Sequence, residues 1–363
     1  MNNPTNHIEE TVRVDVSRSY DILIGKVLLG DIGALSASVV SPGRAVLVTD
    51  DTVNALYGDA AEASLASAGF SVSRFVFPHG EESKTTETYV RLLNFCAEAG
   101  VTRSDCLFAL GGGVVGDMTG FAAATFLRGV RFIQIPTTLL AMVDSSVGGK
   151  TGVDLPVGKN LVGAFWQPSL VICDYTLLDT LTPEIFADGC AEVIKYAVIN
   201  DRELFDRLKA PIRPQLGAVI ASCVRNKRDI VNADERDTGC RQLLNLGHTL
   251  GHAVEASSGF TVSHGSAVAI GMNLVASLAK SRGLLDQNEL LDIRAMLKSY
   301  GLPLTCPYTS EQLARVASSD KKRAGGSITL VIPYGIGDTR LVKTPIAELQ
   351  GFAEEALAAA RED

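Results

Sequence analysis

The chain has 363 residues, 46% of them hydrophobic and 20% charged, and a formal net charge of −8 at pH 7. This balance is typical of a folded protein with two domains, and it excludes a disordered chain. The acidic net charge argues against a nucleic-acid partner. Because we find no signal peptide and no apolar run that could span a bilayer, we expect a cytoplasmic protein with no membrane partner.

Alternating strands and helices are predicted for the first half of the chain. Residues 11–24 alternate apolar and polar side chains around Arg18–Ser19, which predicts a β-hairpin. Buried strands are predicted at 45–50, 70–77, 105–110, 130–136 and 169–174, and helices at 52–68 and 85–99. The alternation predicts an α/β fold, with a Rossmann-like parallel sheet covered by helices on both faces.

A glycine run from Gly111 to Asp117 follows the strand at 105–110 and opens a helix. Glycines in this position let backbone N–H groups approach a pyrophosphate at a helix N-terminus. A tight turn after a buried strand also requires glycine, so the spacing leaves both interpretations open. Asp50, at the end of an earlier strand, is placed either to bind a ribose hydroxyl or to cap the following helix.

A second glycine-rich stretch is predicted as a long loop at residues 136–160. It contains Asp144, Lys150 and Lys159 in a largely uncharged context. Lysines in such a setting are typical anion ligands, and long loops in compact domains are usually functional. A surface loop with two ordinary lysines is the alternative.

The pattern changes near residue 181, and we expect a domain at 1–180 followed by a mostly α-helical domain at 181–363. Helical spacing is found at 183–200, 203–209, 214–233, 241–258, 265–282, 286–300 and 310–318. A late hairpin, at 327–333 and 339–343, precedes a final helix.

The segment 241–258 is predicted as one helix with a polar stripe. At the helical repeat, Arg241, Asn245, His248 and His252 fall within an arc of about 60°. Polar groups are costly to bury unless they bind something, so the stripe predicts a binding surface. A solvated helix face is the alternative.

Glu192 and Lys195 share a helix face within an almost wholly apolar segment, which predicts that the pair is buried or lies in a cleft. Glu192 with two histidines would give the three-ligand set of a catalytic zinc site. The histidines could be His248 with His252, four residues apart, or His248 with His264, at the predicted start of the next helix.

Six stretches together resemble the 3-dehydroquinate synthase family. They are GGGVVGDMTGFAAATFLRGVRFIQIPTTLLAMVDSSVGGKTG, GKNLVGAFWQP, GCAEVIKYAVI, NADERDTGCRQLLNLGHTLGHAVE, HGSAVAIGM and DKKRAGGSITLVIP, and they cover most of residues 105–335 in order. The resemblance implies an NAD-binding N-terminal domain, a helical C-terminal domain that binds metal and substrate, and a homodimer with its active site in the cleft between domains.

The implied reaction converts the phosphorylated sugar acid 3-deoxy-D-arabino-heptulosonate 7-phosphate to 3-dehydroquinate and phosphate. It proceeds by transient oxidation with NAD, phosphate elimination, re-reduction and intramolecular aldol cyclisation. Two alternatives share these features: another sugar-phosphate cyclase, such as a deoxy-inosose or valiolone synthase, and a metal-dependent NAD alcohol or polyol dehydrogenase. Retention of DSSVGGKTG, together with Arg241 for the substrate carboxylate, favours the heptulosonate.

The resemblance also implies a role for each matching residue. The implied ligands of zinc or cobalt are Glu192, His248 and His264. The substrate phosphate would be bound by Lys150, Asn160, Asn245, His252, Lys321 and Lys322, with Arg128 reaching a phosphate in the neighbouring subunit. The substrate carboxylate would be bound by Lys227 and Arg241, and the ring hydroxyls by Asp144 and Lys195. The family's NAD-binding positions correspond to Asp50, Glu81, Lys84, Gly113, Val114, Val115, Gly116, Asp117, Thr137, Thr138, Lys159 and Thr180.

The chain departs from the family pattern at three positions. Asp237 stands where a glutamate is common, Ser266 stands within a segment that usually reads HGEA, and Asp154 replaces a frequent asparagine. None of these changes removes a predicted metal ligand or a principal anion ligand.

Overall fold

A computed structural model of the chain describes residues 7–319 and 326–361. These residues pack as two compact units. The first contains the described residues up to Leu181 together with Leu216–Arg236, and the second contains Thr182–Gln215 with the described residues from Asp237 onward. The predicted division into 1–180 and 181–363 differs from this arrangement in one helix, which starts at Leu216 and packs with the first unit. Within the described ranges, no helix has both the length and the apolar character needed to cross a membrane.

The strands of the first unit follow the predicted order closely. They are β1 (Ile8–Val14), β2 (Tyr20–Gly25), β3 (Arg44–Asp50), β4 (Ser71–Phe77), β5 (Cys106–Gly111), β6 (Arg131–Pro136), β7 (Lys150–Leu155), β8 (Gly158–Phe165) and β9 (Leu170–Asp174). Seven of the described strands form one sheet in the order β1-β2-β9-β6-β5-β3-β4. Only the predicted hairpin β1–β2 is antiparallel, and all other neighbours in this sheet are parallel.

The described helices are α1 (Ile32–Ala37), α2 (Asp51–Val53), α3 (Asp59–Ser67), α4 (Thr86–Glu98), α5 (Gly113–Thr125), α6 (Pro183–Asn200), α7 (Arg202–Arg207), α8 (Leu216–Ala233), α9 (His248–Ser257), α10 (His264–Ser281), α11 (Gln287–Ser299), α12 (Ser310–Ser319) and α13 (Leu349–Arg361). In the first unit, one apolar cluster joins the sheet to α4 and α5, and another joins it to α1 and α3. The prediction of helices on both faces of a parallel sheet is therefore confirmed.

The direction of strand addition reverses between β3 and β5. Strand β4 pairs with one side of β3, whereas β5 pairs with the other side. The carboxyl ends of strands at such a reversal are where α/β sheets bind ligands. Asp50 ends β3 and Gly111 ends β5, so the fold places both predicted nucleotide-binding segments at this reversal.

The prediction of a long loop at 136–160 was wrong. The segment contains a π-helical turn, Ala141–Ser145, and β7, which pairs with β8 as an antiparallel hairpin. A Cβ atom at Gly152 would lie 2.7 Å from the carbonyl oxygen of Val162, and one at Gly163 would lie 2.1 Å from that of Thr151. Gly152, one of the glycines that suggested a loop, and Gly163, just beyond the predicted loop, are therefore required by two closely paired strands.

The prediction of one helix over 241–258 was also wrong. The chain forms a 3-10 helix, Cys240–Asn245, and turns at Gly247 before α9 begins at His248. Arg241 and Asn245 consequently do not share a helix face with His248. The rest of the second unit is helical as predicted, apart from the late hairpin of β10 (Ser327–Gly335) and β11 (Asp338–Pro345).

Candidate functional site

Close helix packing brings the predicted metal ligands of the second unit together. Glu192 lies within α6, and His264 is the first residue of α10. A Cβ atom at Gly265 would lie 2.4 Å from both the Cα atom and the carbonyl oxygen of Asp188 in α6. The absence of a side chain at Gly265 therefore allows the start of α10 to lie directly against α6, and His264 faces Glu192 as a result.

A second glycine contact positions His248, the first residue of α9. A Cβ atom at Gly271 in α10 would lie 1.9 Å from the carbonyl oxygen of Gly247. Gly247 has a φ of 76°, a left-handed conformation that favours glycine. The chain therefore turns with its backbone against α10, and the ring centroids of His248 and His264 lie 5.4 Å apart.

Both imidazoles face the same oxygen of Glu192. Glu192 Oε1 lies 3.5 Å from His248 Nε2 and 3.1 Å from His264 Nε2. Two ligand atoms of a tetrahedral zinc ion lie about 3.4 Å apart, because each bond to the metal is about 2.0–2.1 Å long. The three side chains therefore already have the spacing of a three-ligand zinc site.

A backbone carbonyl group sets the orientation of His248. His248 Nδ1 lies 3.0 Å from the carbonyl oxygen of Leu246. With its proton on Nδ1, the ring donates a hydrogen bond to this carbonyl and presents the lone pair of Nε2 towards Glu192. This is the form of the ring that a metal ligand requires.

Lys195 is the cationic partner of Glu192 within α6. Its Nζ lies 2.5 Å from Glu192 Oε2, and neither side chain is more than 1% exposed. Burial raises the pKa of Glu192, but the charge of Lys195 and the contacts with the histidines outweigh it and hold the pKa well below its ordinary value. Glu192 Oε2 nevertheless has no hydrogen bond of good geometry within the described ranges. The carboxylate is therefore charged, with capacity for a further cationic partner.

Glu255 is a neighbour of His264 that the sequence analysis missed. Its Oε2 lies 3.7 Å from His264 Nδ1, whereas Nε2 of the same ring faces Glu192. Burial lowers the pKa of His264, but the hydrogen bond with Glu192 and the nearby carboxylate of Glu255 raise it overall to about 10. A signal was present in the sequence, because Glu255 follows His248 by two helical turns and lies on the same face.

His252 follows His248 in α9, and its side chain is exposed. It forms a second compact group with Glu255 and His264, in which the possible ligand atoms lie within 4.8 Å of one another, as they do in the group of Glu192, His248 and His264. Among the residues that the structure describes, no such group combines Glu192 with His248 and His252. The geometry therefore favours the pairing of His248 with His264 over the alternative pairing.

The other predicted residues of the second unit lie upstream of the histidines or beyond the described ranges. Arg241 is 1% exposed, and Asn245 is half-buried at the end of the 3-10 helix. Lys321 and Lys322 lie outside the described residues.

In the first unit, Lys84 joins three segments of the chain. The side chain is buried, and its Nζ lies 2.6 Å from Asp117 Oδ2 and 2.6 Å from Asn160 Oδ1. Burial lowers the pKa of Lys84, but the charges of Asp117 and Glu81 outweigh it and raise the pKa above its ordinary value. The structure thus brings together two residues predicted to bind NAD and one predicted to bind the substrate phosphate.

The ends of β5 and β6 form a narrow cradle. The segment Gly113–Asp117 begins α5, and a Cβ atom at the preceding Gly112 would lie 3.2 Å from Thr138 Cγ2. The buried hydroxyl of Thr137 has no hydrogen-bond partner among the described residues. This segment is suited to bind a phosphate group. It combines a helix N-terminus, backbone N–H groups that glycines leave accessible, and a hydroxyl group without a hydrogen-bond partner among the described residues.

The remaining residues predicted to bind NAD have protein partners. Asp50 accepts a hydrogen bond of 2.9 Å from the backbone of the third residue of α2, so it caps this helix, as the alternative interpretation predicted. Lys159 Nζ lies 3.5 Å from Glu81 Oε1. Thr180 Oγ1 lies 2.6 Å from the hydroxyl oxygen of Tyr57.

Lys227 and Asp144, which were assigned to different parts of the substrate, contact each other. Lys227 is buried in α8, and its Nζ donates to the backbone oxygen of Asp144 at 2.6 Å and to Oδ1 at 2.9 Å. Lys150 and Arg128 are exposed. The backbone of Arg128 has a φ of 66°, which is uncommon for a residue other than glycine. Its exposed side chain therefore projects from a strained turn that follows α5.

Comparison with known proteins is consistent across the chain. The family model described as 3-dehydroquinate synthase N-terminal matches residues 74–188, and the model described as 3-dehydroquinate synthase C-terminal matches residues 189–323. The chain is 43% identical to a 3-dehydroquinate synthase of Enterococcus faecalis over 343 residues, which cover 93% of this chain and 96% of the relative. It is 44% identical to a 3-dehydroquinate synthase of Geobacter metallireducens over 344 residues, which cover 92% and 96%.

Among solved structures, the fold is similar to that of a 2-epi-5-epi-valiolone synthase from Streptomyces hygroscopicus with NAD+ and Zn2+ bound. The TM-score is 0.87 at 31% sequence identity, and the alignment covers 97% of this chain and 99% of that one. The two family models together cover well over half of the chain. The chain therefore belongs to the 3-dehydroquinate synthase family.

Proposed function

We propose that the protein is a 3-dehydroquinate synthase, which converts 3-deoxy-D-arabino-heptulosonate 7-phosphate to 3-dehydroquinate and phosphate. The observation that carries the proposal is the group of Glu192, His248 and His264, whose atoms have the spacing of a zinc site in a chain of this family. This activity belongs to the shikimate pathway of aromatic amino-acid biosynthesis.

The residues present fit both implied cofactors. Glu192 is a charged, buried carboxylate that faces two histidine nitrogens, and this donor set is suited to zinc or cobalt. The cradle at Gly113–Asp117, with the unused hydroxyl of Thr137, is suited to the pyrophosphate of NAD. When bound, these groups supply a Lewis acid for the C5 hydroxyl and a temporary acceptor for the hydride from C5.

The second unit provides residues for the metal and for the anionic ends of the substrate. Lys195 keeps Glu192 ionised and lies near the ring hydroxyls, and Arg241 binds the carboxylate. His252, which is exposed beside the metal ligands, orients the substrate phosphate. A phosphate oxygen of the substrate then takes the proton from C6, which the neighbouring ketone has acidified, and the phosphate leaves as the double bond forms.

The first unit provides further anion ligands. Exposed Lys150 and the amide of Asn160 bind the substrate phosphate, while Lys227, held by Asp144, binds the carboxylate. In this proposal, NAD is contacted by Asp50, Glu81, Lys84, Thr137, Thr138, Lys159 and Thr180.

The proposed assembly is a cytoplasmic homodimer in which Arg128 reaches a phosphate bound to the neighbouring subunit. Sedimentation of the purified protein tests the dimer.

Phosphate release from the heptulosonate phosphate tests the reaction. The protein, supplied with zinc and a catalytic amount of NAD, should release one phosphate for each substrate consumed, with no net accumulation of NADH. Net NADH would indicate the alcohol dehydrogenase alternative. Turnover of a phosphorylated ketose without a carboxylate, in preference to the heptulosonate, would indicate another sugar-phosphate cyclase.

Two histidine variants test the assignment of the metal ligands. His248→Ala should lose bound zinc as well as activity, because it removes a ligand. His252→Ala should retain zinc and lose turnover. Loss of zinc from His252→Ala, with retention by His248→Ala, would overturn the assignment.

A further inference from the structure

Asn160 has an uncommon backbone conformation for a strand residue. Its φ is 55°, in the left-handed region, which is unfavourable for a residue other than glycine. Asparagine tolerates this region better than most residues, but an exposed residue holds it only where its surroundings enforce it. Asn160 lies in β8, where the pairing with β7 is irregular between Val153 and Leu155.

Asp154 supplies the enforcing contact. Its Oδ1 accepts a hydrogen bond of 2.7 Å from the backbone N–H of Asn160. Its own backbone N–H donates to the carbonyl oxygen of Lys84 at 2.8 Å. Asp154 therefore fixes both the strand that carries Asn160 and the segment that carries Lys84.

These contacts close a ring through the side chain of Lys84. Lys84 Nζ donates to Asn160 Oδ1 at 2.6 Å, and it also donates to Asp117 in α5. Because the amide oxygen of Asn160 accepts from Lys84, the NH2 group of the amide points away from this cation. The amide thereby presents donors to an anion, while Lys84 and Asp117 remain beside the start of α5.

We propose that Asp154 is a positioning residue, which acts through Asn160 on the substrate phosphate and through Lys84 on the nucleotide. This inference rests on the proposed function for the identity of both ligands. For this positioning, an acceptor oxygen at position 154 matters more than a negative charge. The reason is that the backbone N–H of Asn160 donates to a single oxygen of Asp154.

Substitution at position 154 tests the proposal. Asp154→Ala should raise the KM for the heptulosonate phosphate and the Kd for NAD by about tenfold each, the effect of losing one hydrogen bond. Asp154→Asn, which keeps an acceptor oxygen, should stay within about threefold of the unsubstituted protein. Asp59→Ala, at a side chain that is 98% exposed in the same unit, is the matched control. Values for Asp154→Ala within twofold of the control would overturn the proposal.

A double-substitution cycle separates positioning from a merely structural role. In a protein with Asn160→Gly, which tolerates the left-handed backbone but lacks the amide, Asp154→Ala should cause little further rise in KM. Additive effects on KM would contradict action through Asn160. Kd for NAD, measured by calorimetry, does not depend on turnover. A wild-type protein that binds NAD but releases no phosphate would therefore refute the proposed function separately.

If Asp154→Ala fails to fold, hydrogen exchange of the wild-type protein still tests the hydrogen bond between Asn160 and Asp154 on which the proposal depends. The backbone amide of exposed Asn160 should exchange at least about tenfold more slowly than an unprotected amide, because Asp154 accepts its hydrogen bond. Unprotected exchange at Asn160 would overturn the proposal.

Discussion

Lys195 Nζ and Glu192 Oε2 lie 2.5 Å apart on α6, and neither side chain is more than 1% exposed. In the protein without metal, Lys195 compensates the buried carboxylate at Oε2, while protonated His264 faces Oε1. Breaking a buried ion pair by removing one partner is strongly destabilising, because the other charge is left without compensation. A divalent ion beside Glu192 Oε1 would place two positive charges where protonated His264 supplies one, and so reduce the dependence on Lys195.

We predict that Lys195→Met lowers the free energy of unfolding of the metal-free protein by about 3–5 kcal/mol. The loss should be smaller with saturating zinc, because the ion compensates Glu192. Urea denaturation with a chelator and with zinc measures both values. Lys209→Met, at an exposed pair with Asp206, is the control and should change stability by no more than about 1 kcal/mol. An equal loss with and without zinc would contradict the prediction.

Zinc binding should release a proton from His264. The pKa of this residue rises from 6.5 to about 10, so the proton stabilises the metal-free protein fully below pH 6.5 and this contribution is lost as the pH rises through about 10. A metal ligand must be neutral, so binding at pH 8 should displace about one proton and zinc affinity should rise with pH.

Calorimetric titrations of zinc in buffers with different ionisation enthalpies measure this proton. His79→Ala removes an exposed histidine paired with Asp51 and should leave the count unchanged. Zinc binding at pH 8 without proton release would show that His264 is already neutral.

Gly265→Ala should weaken zinc binding without altering any ligand. The added methyl group would lie 2.4 Å from backbone atoms of Asp188, so α10 must move away from α6 and carry His264 away from Glu192. Overpacking of this kind costs about 1–3 kcal/mol of stability. Gly351→Ala in α13, where a Cβ atom meets nothing within 4 Å, is the matched control and should be neutral or slightly stabilising. Competition with a chelator gives the zinc affinity, and unchanged affinity in Gly265→Ala would contradict the prediction.

Asp50 has a capping role and a proposed role with NAD, and two substitutions separate them. Asparagine is as good an N-cap as aspartate, so Asp50→Asn should leave the melting temperature unchanged while weakening NAD binding several-fold. Asp50→Ala should also lose about 1 kcal/mol of stability. If Asp50→Asn binds NAD as tightly as the unsubstituted protein, the residue acts only as a cap.

The strands and the helices between them could be predicted because their signals are local. The runs at β3, β5, β6 and β9 are apolar on both faces, as a buried parallel sheet requires, and turn residues end each one. Their order in the sheet was not readable from the sequence. The position of β5 beside β3 depends on contacts between segments distant in the chain.

The errors arose where glycine had two possible meanings. Gly152 suggested a loop but belongs to a paired strand, and Gly247, inside the segment predicted as one helix, has a left-handed backbone and directly precedes α9. The association of α8 with the first unit could not be predicted from the sequence either. Its amphipathic pattern shows that one face is buried, but it does not show which part of the protein covers that face.

The pairing of His248 with His264 illustrates a further limit of periodicity. Four-residue spacing made His252 an equally good partner for His248, and only the resemblance to a family distinguished them. The distinction depends on how α10 meets α6, which no local pattern encodes.

The contact of Gly265 with Asp188 bears on how this centre should be searched for in other sequences. The distance between Glu192 and His264 depends on a residue that has no side chain and binds nothing. A chain with every histidine and glutamate in register but a bulkier residue after the last histidine would match the ligand pattern and still hold its ligands too far apart. The recognisable unit is therefore the His-Gly pair, and a search that requires only the chelating residues would accept proteins unable to form the centre.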